Sequence, residues 1–353
     1  MKKGKKLLAI VSILFCSTLT FAQNKPFSEW DATAFCSHTR YHPFQYIRAD
    51  NNWEILQALP TWHSRSYLDS LGIRNTDSQM MLLRIEGLLE WDRDARLWRS
   101  SIPLLDSLQT VAARDYSKRI AEQIYPDIRE DCRQLVDDLH RNKQSDHAYS
   151  ILFSYVLDGE IWDEFHSYEE IKSSATWDGE CWAFYFPRAF KCGTNTYDDT
   201  FVLNWTDLQP EFVGHELDGS DFVSPFVDEY NEHGKIVSSG LLKKAEELGI
   251  VHPDGSLRVP VIDRADDSSE LNRLAGSIVG KISGRFLQSD FVPVFQEKFN
   301  ITGDKLAVTM LYHEVMWDLM DLLVSDEIIR LPEIWTDPDP EKHLVGTVVY
   351  LKK

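Results

Sequence analysis

Twice along this chain a leucine-rich helical spacing runs into a glycine, then a short turn flanked by apolar runs, then a proline-marked apolar strand. No other feature limits the fold as tightly, because each step changes the hydrophobic period in a fixed order. In the first copy, residues 52–59 carry Trp53, Leu56 and Leu59 at i, i+3 and i+6. A second helix is expected over 64–71, stopped by Gly72, and Thr76-Asp-Ser-Gln79 reads as a capping box opening a third over 78–90. LLEWDRDARLWRSSIPLLD follows, two apolar runs around Asp92-Arg93-Asp94. The later stretch SGLLKKAEELGIVHPDGSLRVPVID, 239–263, repeats the end of that order. Leu82-Leu83 through Gly87-Leu88 matches Leu241-Leu242 through Gly249-Ile250, the turn Asp92-Arg93-Asp94 matches Pro253-Asp254-Gly255, and Ile102-Pro103 matches Val259-Pro260. Each copy leads into a long helical segment, 107–141 and 266–290, as an internal duplication would.

Helix, helix, helix, hairpin over residues 50–106 resembles the winged-helix arrangement, and 235–263 repeats part of it. Between the copies the character changes. In TWDGECWAFYFPRAFKCGTNTYDDTFVLNW, 176–205, aromatic residues alternate with others, Pro187 stops one run and Gly193-Thr-Asn195 supplies turn residues before the next. A loop over 336–342 and a strand over 344–351 close the reading. The expected fold is α+β: two winged-helix-like modules linked by long helices, with a β-rich insert between them. Domain limits follow at 23–145, 146–220 and 221–353.

The first 22 residues have Lys2, Lys3, Lys5 and Lys6, an apolar run of about a dozen residues, and Thr20-Phe21-Ala22, the features of a secretory signal peptide cleaved near Ala22. A periplasmic or extracellular location is expected, with no membrane span. Removing the signal takes four lysines and no acid, leaving 33 basic against 56 acidic residues, a net charge of −23. That charge repels phosphate backbones, and the expected recognition helix, SQMMLLRIEGLLE, offers only Arg84 as a cation, so nucleic acid is excluded as a partner. Four cysteines remain, and two disulfides are expected, Cys181 with Cys192 and, by elimination, Cys36 with Cys132. Cys36-Ser-His38-x-x-x-His42 falls short of a complete zinc set, so no metal site is assigned there.

Catalytic candidates are two His-Glu pairs. TMLYHEVMWDLMDLLV, 309–324, contains His313-Glu314, half of a zinc-protease motif, but Trp317 stands where the second histidine belongs. Spacing makes the segment an amphipathic helix with Glu314, Asp318 and Asp321 as a polar stripe facing solvent or another domain, and His313 packed on Trp317. The second pair is His215-Glu216. If the pairs converge, they supply imidazoles and carboxylates for zinc with an open position, the chemistry of a metal-dependent hydrolase. No nucleophile elbow, free-thiol site or phosphate loop is present. Trp162 and Trp177, in acidic polar surroundings, are the tryptophans expected to be exposed for stacking on sugars. The leading expectation is a non-enzymatic protein without cofactor whose modules bind another protein or an envelope polymer; the hydrolase is its alternative.

Overall fold

The computed structural model describes residues 27–34, 43–167, 181–185, 188, 192–197, 199–206, 221–336 and 346–352. The first elements are β1 (Asp31–Ala34), α1 (Pro43–Ile47), α2 (Asn52–Ala58), β2 (His63–Ser64), α3 (Arg65–Ser70), α4 (Asp77–Ile85), β3 (Leu89–Asp92), β4 (Leu97–Ser100) and β5 (Leu104–Leu105). A 35-residue helix follows, α5 (Ser107–Arg141), then α6 (Ala148–Ser150), a π-helix over Ile151–Glu160 and α7 (Ile161–Ser167). Three strands come next, β6 (Cys181–Phe184), β7 (Cys192–Tyr197) and β8 (Phe201–Thr206). The remaining elements are α8 (Val223–His233), α9 (Ser239–Glu247), β9 (Val261–Asp263), α10 (Glu270–Gln288), α11 (Phe291–Phe299), α12 (Asp304–Ser325), α13 (Glu333–Thr336) and β10 (Val348–Lys352). The class is α+β, as expected. The span 148–167, inside the expected β-rich insert, is helical instead: ILFSYVLDGEIWDEF is a long apolar run of the kind that reads equally as buried strand or buried helix.

Two compact units share these elements, and neither is one continuous stretch. The first unit gathers Met1–Asp115, Ser173–Arg188 and Val294–Met310. Its helix starts and stops follow local chemistry. Thr76 Oγ1 accepts from Gln79 N at 3.2 Å while Gln79 Oε1 accepts from Thr76 N at 3.0 Å, the reciprocal cap expected of that motif. β2, β4 and β3 form one antiparallel sheet, and β1, β6 and β5 another, in which β6 runs antiparallel to β1 and parallel to β5. Ile55, Leu56, Leu59, Leu68, Leu83 and Leu88 fill the core between the helices and the hairpin.

The second unit gathers Tyr116–Lys172, Ala189–Pro293 and Leu311–Lys353 around a sheet ordered β7-β8-β10-β9. β10 is antiparallel to β8 and parallel to β9. Phe201, Phe226 and Tyr350 pack edge to face on it, with centroids 5.1 and 5.5 Å apart.

The helix–hairpin segments of the two units correspond bond by bond. Leu88 N donates to Leu83 O at 2.7 Å and Ile250 N to Ala245 O at 3.0 Å; Gly87 and Gly249 hold φ at +69° and +74°. Each is a helix end closed by a left-handed glycine. Ser101 N then returns to Leu88 O at 3.1 Å, and Arg258 N to Ile250 O at 2.9 Å. Pro103 O accepts from Ala183 N, and Pro260 O from Tyr350 N, so β6 and β10 enter equivalent places. Counted from these glycines, Leu241 and Leu242 correspond to Gln79 and Met80, one turn earlier than the leucine match expected from sequence. The leucines alone mislead because a repeat of Leu-Leu fits more than one turn of an amphipathic helix. The hairpins differ in extent: β3 and β4 pair over four residues, whereas the second copy keeps one bridge, Val251 to Leu257.

A left-handed backbone at Gly87 and Gly249 makes any side chain there strained. Gly87→Ala and Gly249→Ala should each lower unfolding free energy by about 1–2 kcal/mol. Gly280→Ala, on the exposed side of α10 with open space for its methyl, should instead raise it by roughly 0.5–1 kcal/mol. Urea titration of the three variants checks both signs.

Candidate functional site

His313 and Glu314 sit in the interior of the second unit. Every residue from Leu311 to Met316 on α12 is buried, and His313 and Glu314 are each 2% exposed. The expected outward stripe of Glu314, Asp318 and Asp321 is therefore corrected: only Asp321 is exposed, while Asp318 Oδ2 accepts from Ser117 Oγ of α5 at 2.5 Å. A helix apolar on most sides is covered on most sides, and its few polar groups must find partners inside.

The principal partner surface of His313 is the π-helix and the turn after it. Trp162 stacks on the imidazole at 5.0 Å with planes 29° apart, nearer than the expected neighbour Trp317 at 6.0 Å and 57°. His313 Nε2 lies 3.7 Å from Asp158 Oδ1, with side chains only 3% and 10% exposed. Trp162 Nε1 donates to the same carboxylate oxygen at 3.1 Å. Thr194, on β7, also hydrogen-bonds the carboxyl, and its hydroxyl reaches Ser154 Oγ at 3.0 Å. Burial pushes the Asp158 carboxyl up to about 6, with Thr194 and Trp162 pulling the other way. π-helical turns are rare and tend to occur where a side chain has to be held in an unusual place. Here the π-helix carries an acid to an imidazole in the interior of the unit. Tyr312, the neighbour of His313, donates from its hydroxyl to Leu157 O at 2.6 Å, and burial lifts its hydroxyl well above the ordinary tyrosine range.

The other expected site residues fall as follows. His215, Glu216, Trp177 and Cys36 lie outside the described residues, and with them the expected convergence of the two His-Glu pairs. Among the described residues no group of three His, Cys, Asp or Glu is placed to hold a metal. Trp162, expected to be exposed for stacking on sugars, is half-buried and already in ring contact with Phe165, Tyr312 and His313. Cys132 is a buried free thiol, and Cys36, its expected partner, lies outside the described residues; burial pushes the Cys132 thiol up to about 12. Cys181 and Cys192 open strands of different sheets, and Cys192 Sγ lies 3.7 Å from Tyr149 Oη.

An unforeseen surface appears on α4. Met80 and Leu83 turn into the core at 1% and 0% exposed, while Met81, Leu82 and Ile85 stand 45%, 37% and 64% exposed on the other side. Arg84 lies over the ring of Trp91 at 5.1 Å, and Trp91 stacks on Trp98 at 5.4 Å, so the hairpin borders the helix with an aromatic and cationic edge. Counted from the matched glycines, the corresponding positions of α9 are Lys243, Lys244 and Glu247. There Lys243 and Glu247 form an ion pair at 3.8 Å, and Lys244 lies over Phe222 at 5.2 Å. One scaffold thus carries a charged outer face in one unit and an apolar one in the other. The signal was present in SQMMLLRIEGLLE, whose two adjacent apolar pairs are more than one core face needs.

The Asp158 carboxyl holds its proton more tightly in the folded chain than in the unfolded one. Its contribution favours folding below about pH 4 and is lost as pH rises through about 6. Asp158→Asn keeps a neutral acceptor for Trp162 and should remove that dependence, leaving the variant more stable than wild type above pH 6 by up to ~3 kcal/mol. Denaturant titrations between pH 4 and 7.5 measure this; a variant weaker at pH 7 would show instead that an ionised Asp158–His313 pair supports the fold.

No protein-family model, curated protein or solved structure matches the chain, so its functional reading rests on geometry.

Proposed function

We propose that this is a non-enzymatic protein of the periplasm or cell exterior that docks another protein through the exposed face of α4. The observation that carries the reading is the contrast between Met81, Leu82 and Ile85 and their charged counterparts Lys243, Lys244 and Glu247 on an equivalent helix. A helix whose second face is apolar leaves area in water that a partner would cover, and each exposed aliphatic side chain contributes about 25 cal/mol per Å² when it is covered. The order α2, β2, α3, α4, β3, β4, with β2 paired to β4, supports a winged-helix-like module used for protein contact. α4 then stands where such modules carry their recognition helix.

Charge favours a protein partner over a nucleic acid. Around α4 and its hairpin, Arg84, Arg93, Arg96 and Arg99 are offset by Asp77, Glu86, Glu90, Asp92 and Asp94 within a chain of net charge −19. The partner expected is a protein with an apolar surface and a carboxylate for Arg84 at its edge. Among the described residues no helix is long and apolar enough to cross a membrane. The hydrolase alternative draws no support from His313 and Glu314, which face the interior.

A photo-crosslinking residue at position 85, in the full chain made by its own cells, should give a discrete adduct with a second protein. One at exposed Glu247 should not. Met81→Asp, a surface change costing roughly ±0.5 kcal/mol in stability, should abolish the adduct. No adduct at 85, or one indifferent to Met81→Asp, overturns the reading; an adduct of two identical chains makes the partner a second copy.

A further inference from the structure

The first unit also contains a cleft of about 230 Å³ at the foot of the hairpin, lined by Trp30, Gln57, Arg99, Ser101, Asp106 and Asn300 among others. Three of its lining side chains hold buried nitrogens with no hydrogen-bond partner: Trp30 Nε1, Gln57 Nε2 and Arg99 Nε. Gln57 is 6% exposed, so its amide is nine-tenths buried. An unmatched buried donor ordinarily costs stability, and native interiors contain few of them. Three around one cleft is the pattern of a site whose acceptors arrive with a ligand.

We infer that this cleft binds one neutral sugar ring. Charge excludes the simpler alternative of an anion. The Arg99 guanidinium is already met by Glu90, Nη2 to Oε2 at 2.6 Å, and lies over Trp62 at 4.7 Å; Asp106 adds a carboxylate to the wall. What the wall has to spare is N–H donors beside the apolar surfaces of Ile102 and Pro103, the combination that suits a polyhydroxylated ring with one apolar face. The volume corresponds to about eight waters at roughly 30 Å³ each, which suits a single ring and not a longer oligosaccharide. Trp30 packs edge-on against Trp53 at 5.2 Å and Tyr185 at 5.6 Å, and Arg99 is paired with Glu90, so two of the three side chains are anchored in the wall. All three nitrogens are shielded from water, and binding therefore turns side chains of the wall toward the ring. The second unit has Ser256 at the position matching Arg99, so this donor set belongs to the first unit alone.

Calorimetry on the full mature chain with D-glucose, D-galactose and N-acetylglucosamine, against D-galacturonate and succinate as charged probes, tests the inference. At least one neutral sugar should bind saturably, and Gln57→Leu should weaken it at least tenfold while raising Tm by about 2–4 °C, because the variant no longer buries an unmatched amide. Trp30→Phe, which keeps a ring and removes its N–H, should also weaken binding and serves if Gln57→Leu does not fold. A methyl glycoside that binds as well as the free sugar would identify the end of a polymer as the ligand; loss of binding on methylation would identify a free sugar. Absence of neutral-sugar binding, binding unchanged by either substitution, or tighter binding of galacturonate or succinate overturns it.

Discussion

Enclosing α12 on almost every side is the constraint from which the interior of the second unit follows. A helix so covered must satisfy its polar groups from neighbouring elements, because an unmet buried group costs more than the hydrogen bond it would otherwise make. Tyr312 therefore reaches a carbonyl of the π-helix, Asp318 takes a hydroxyl from α5, and Trp317 Nε1 donates to Cys192 O at 3.1 Å on β7. Three different elements are thereby fixed to one helix at defined heights. His313 completes the set by meeting Trp162 and Asp158, which ties the segment after α5 to the same axis.

Much of the backbone was legible in the sequence because it is written locally. The Thr76–Gln79 cap, the glycine stop at 72, the long helices near 107–141 and 266–290 and the strand near 344–351 depend on residues within a turn or two of one another, whereas the third helix, expected to run to 90, ends at Ile85 before the left-handed Gly87. The polar residues of α12 were not legible in the same way. Period alone shows that Glu314, Asp318 and Asp321 share a side; it does not show that Ser117, 201 positions before Asp318, lies opposite. Trp30, Gln57 and Arg99 are likewise far apart in sequence and acquire meaning only when β4 and α2 bring them to one cleft. Nor did the sequence announce a π-helix over 151–160, since an apolar run of that length fits several backbones.

The two helix–hairpin segments show how far outward chemistry can differ between stretches that share the same backbone bonds. Their closing glycines, the return to the residue after them and the acceptance at Pro103 and Pro260 are the same. What differs is the outward chemistry: the first copy keeps an extended, tryptophan-bearing hairpin, and the second reduces it to one bridge and dresses its helix with an ion pair. The backbone bonds shared by the two segments lie at glycine and proline, and the outward side chains differ between them.

Both units fill the place between an antiparallel and a parallel neighbour with a strand that comes much later in the chain: β6 enters between β1 and β5, and β10 between β8 and β9. Neither sheet can close while its middle strand is still being synthesised. The first needs residue 184 and the second residue 352 before its middle strand is complete, so both sheets depend on contacts distant in sequence. Until then the facing edges of β1 and β5, and of β8 and β9, lack their partner and are open to any passing strand.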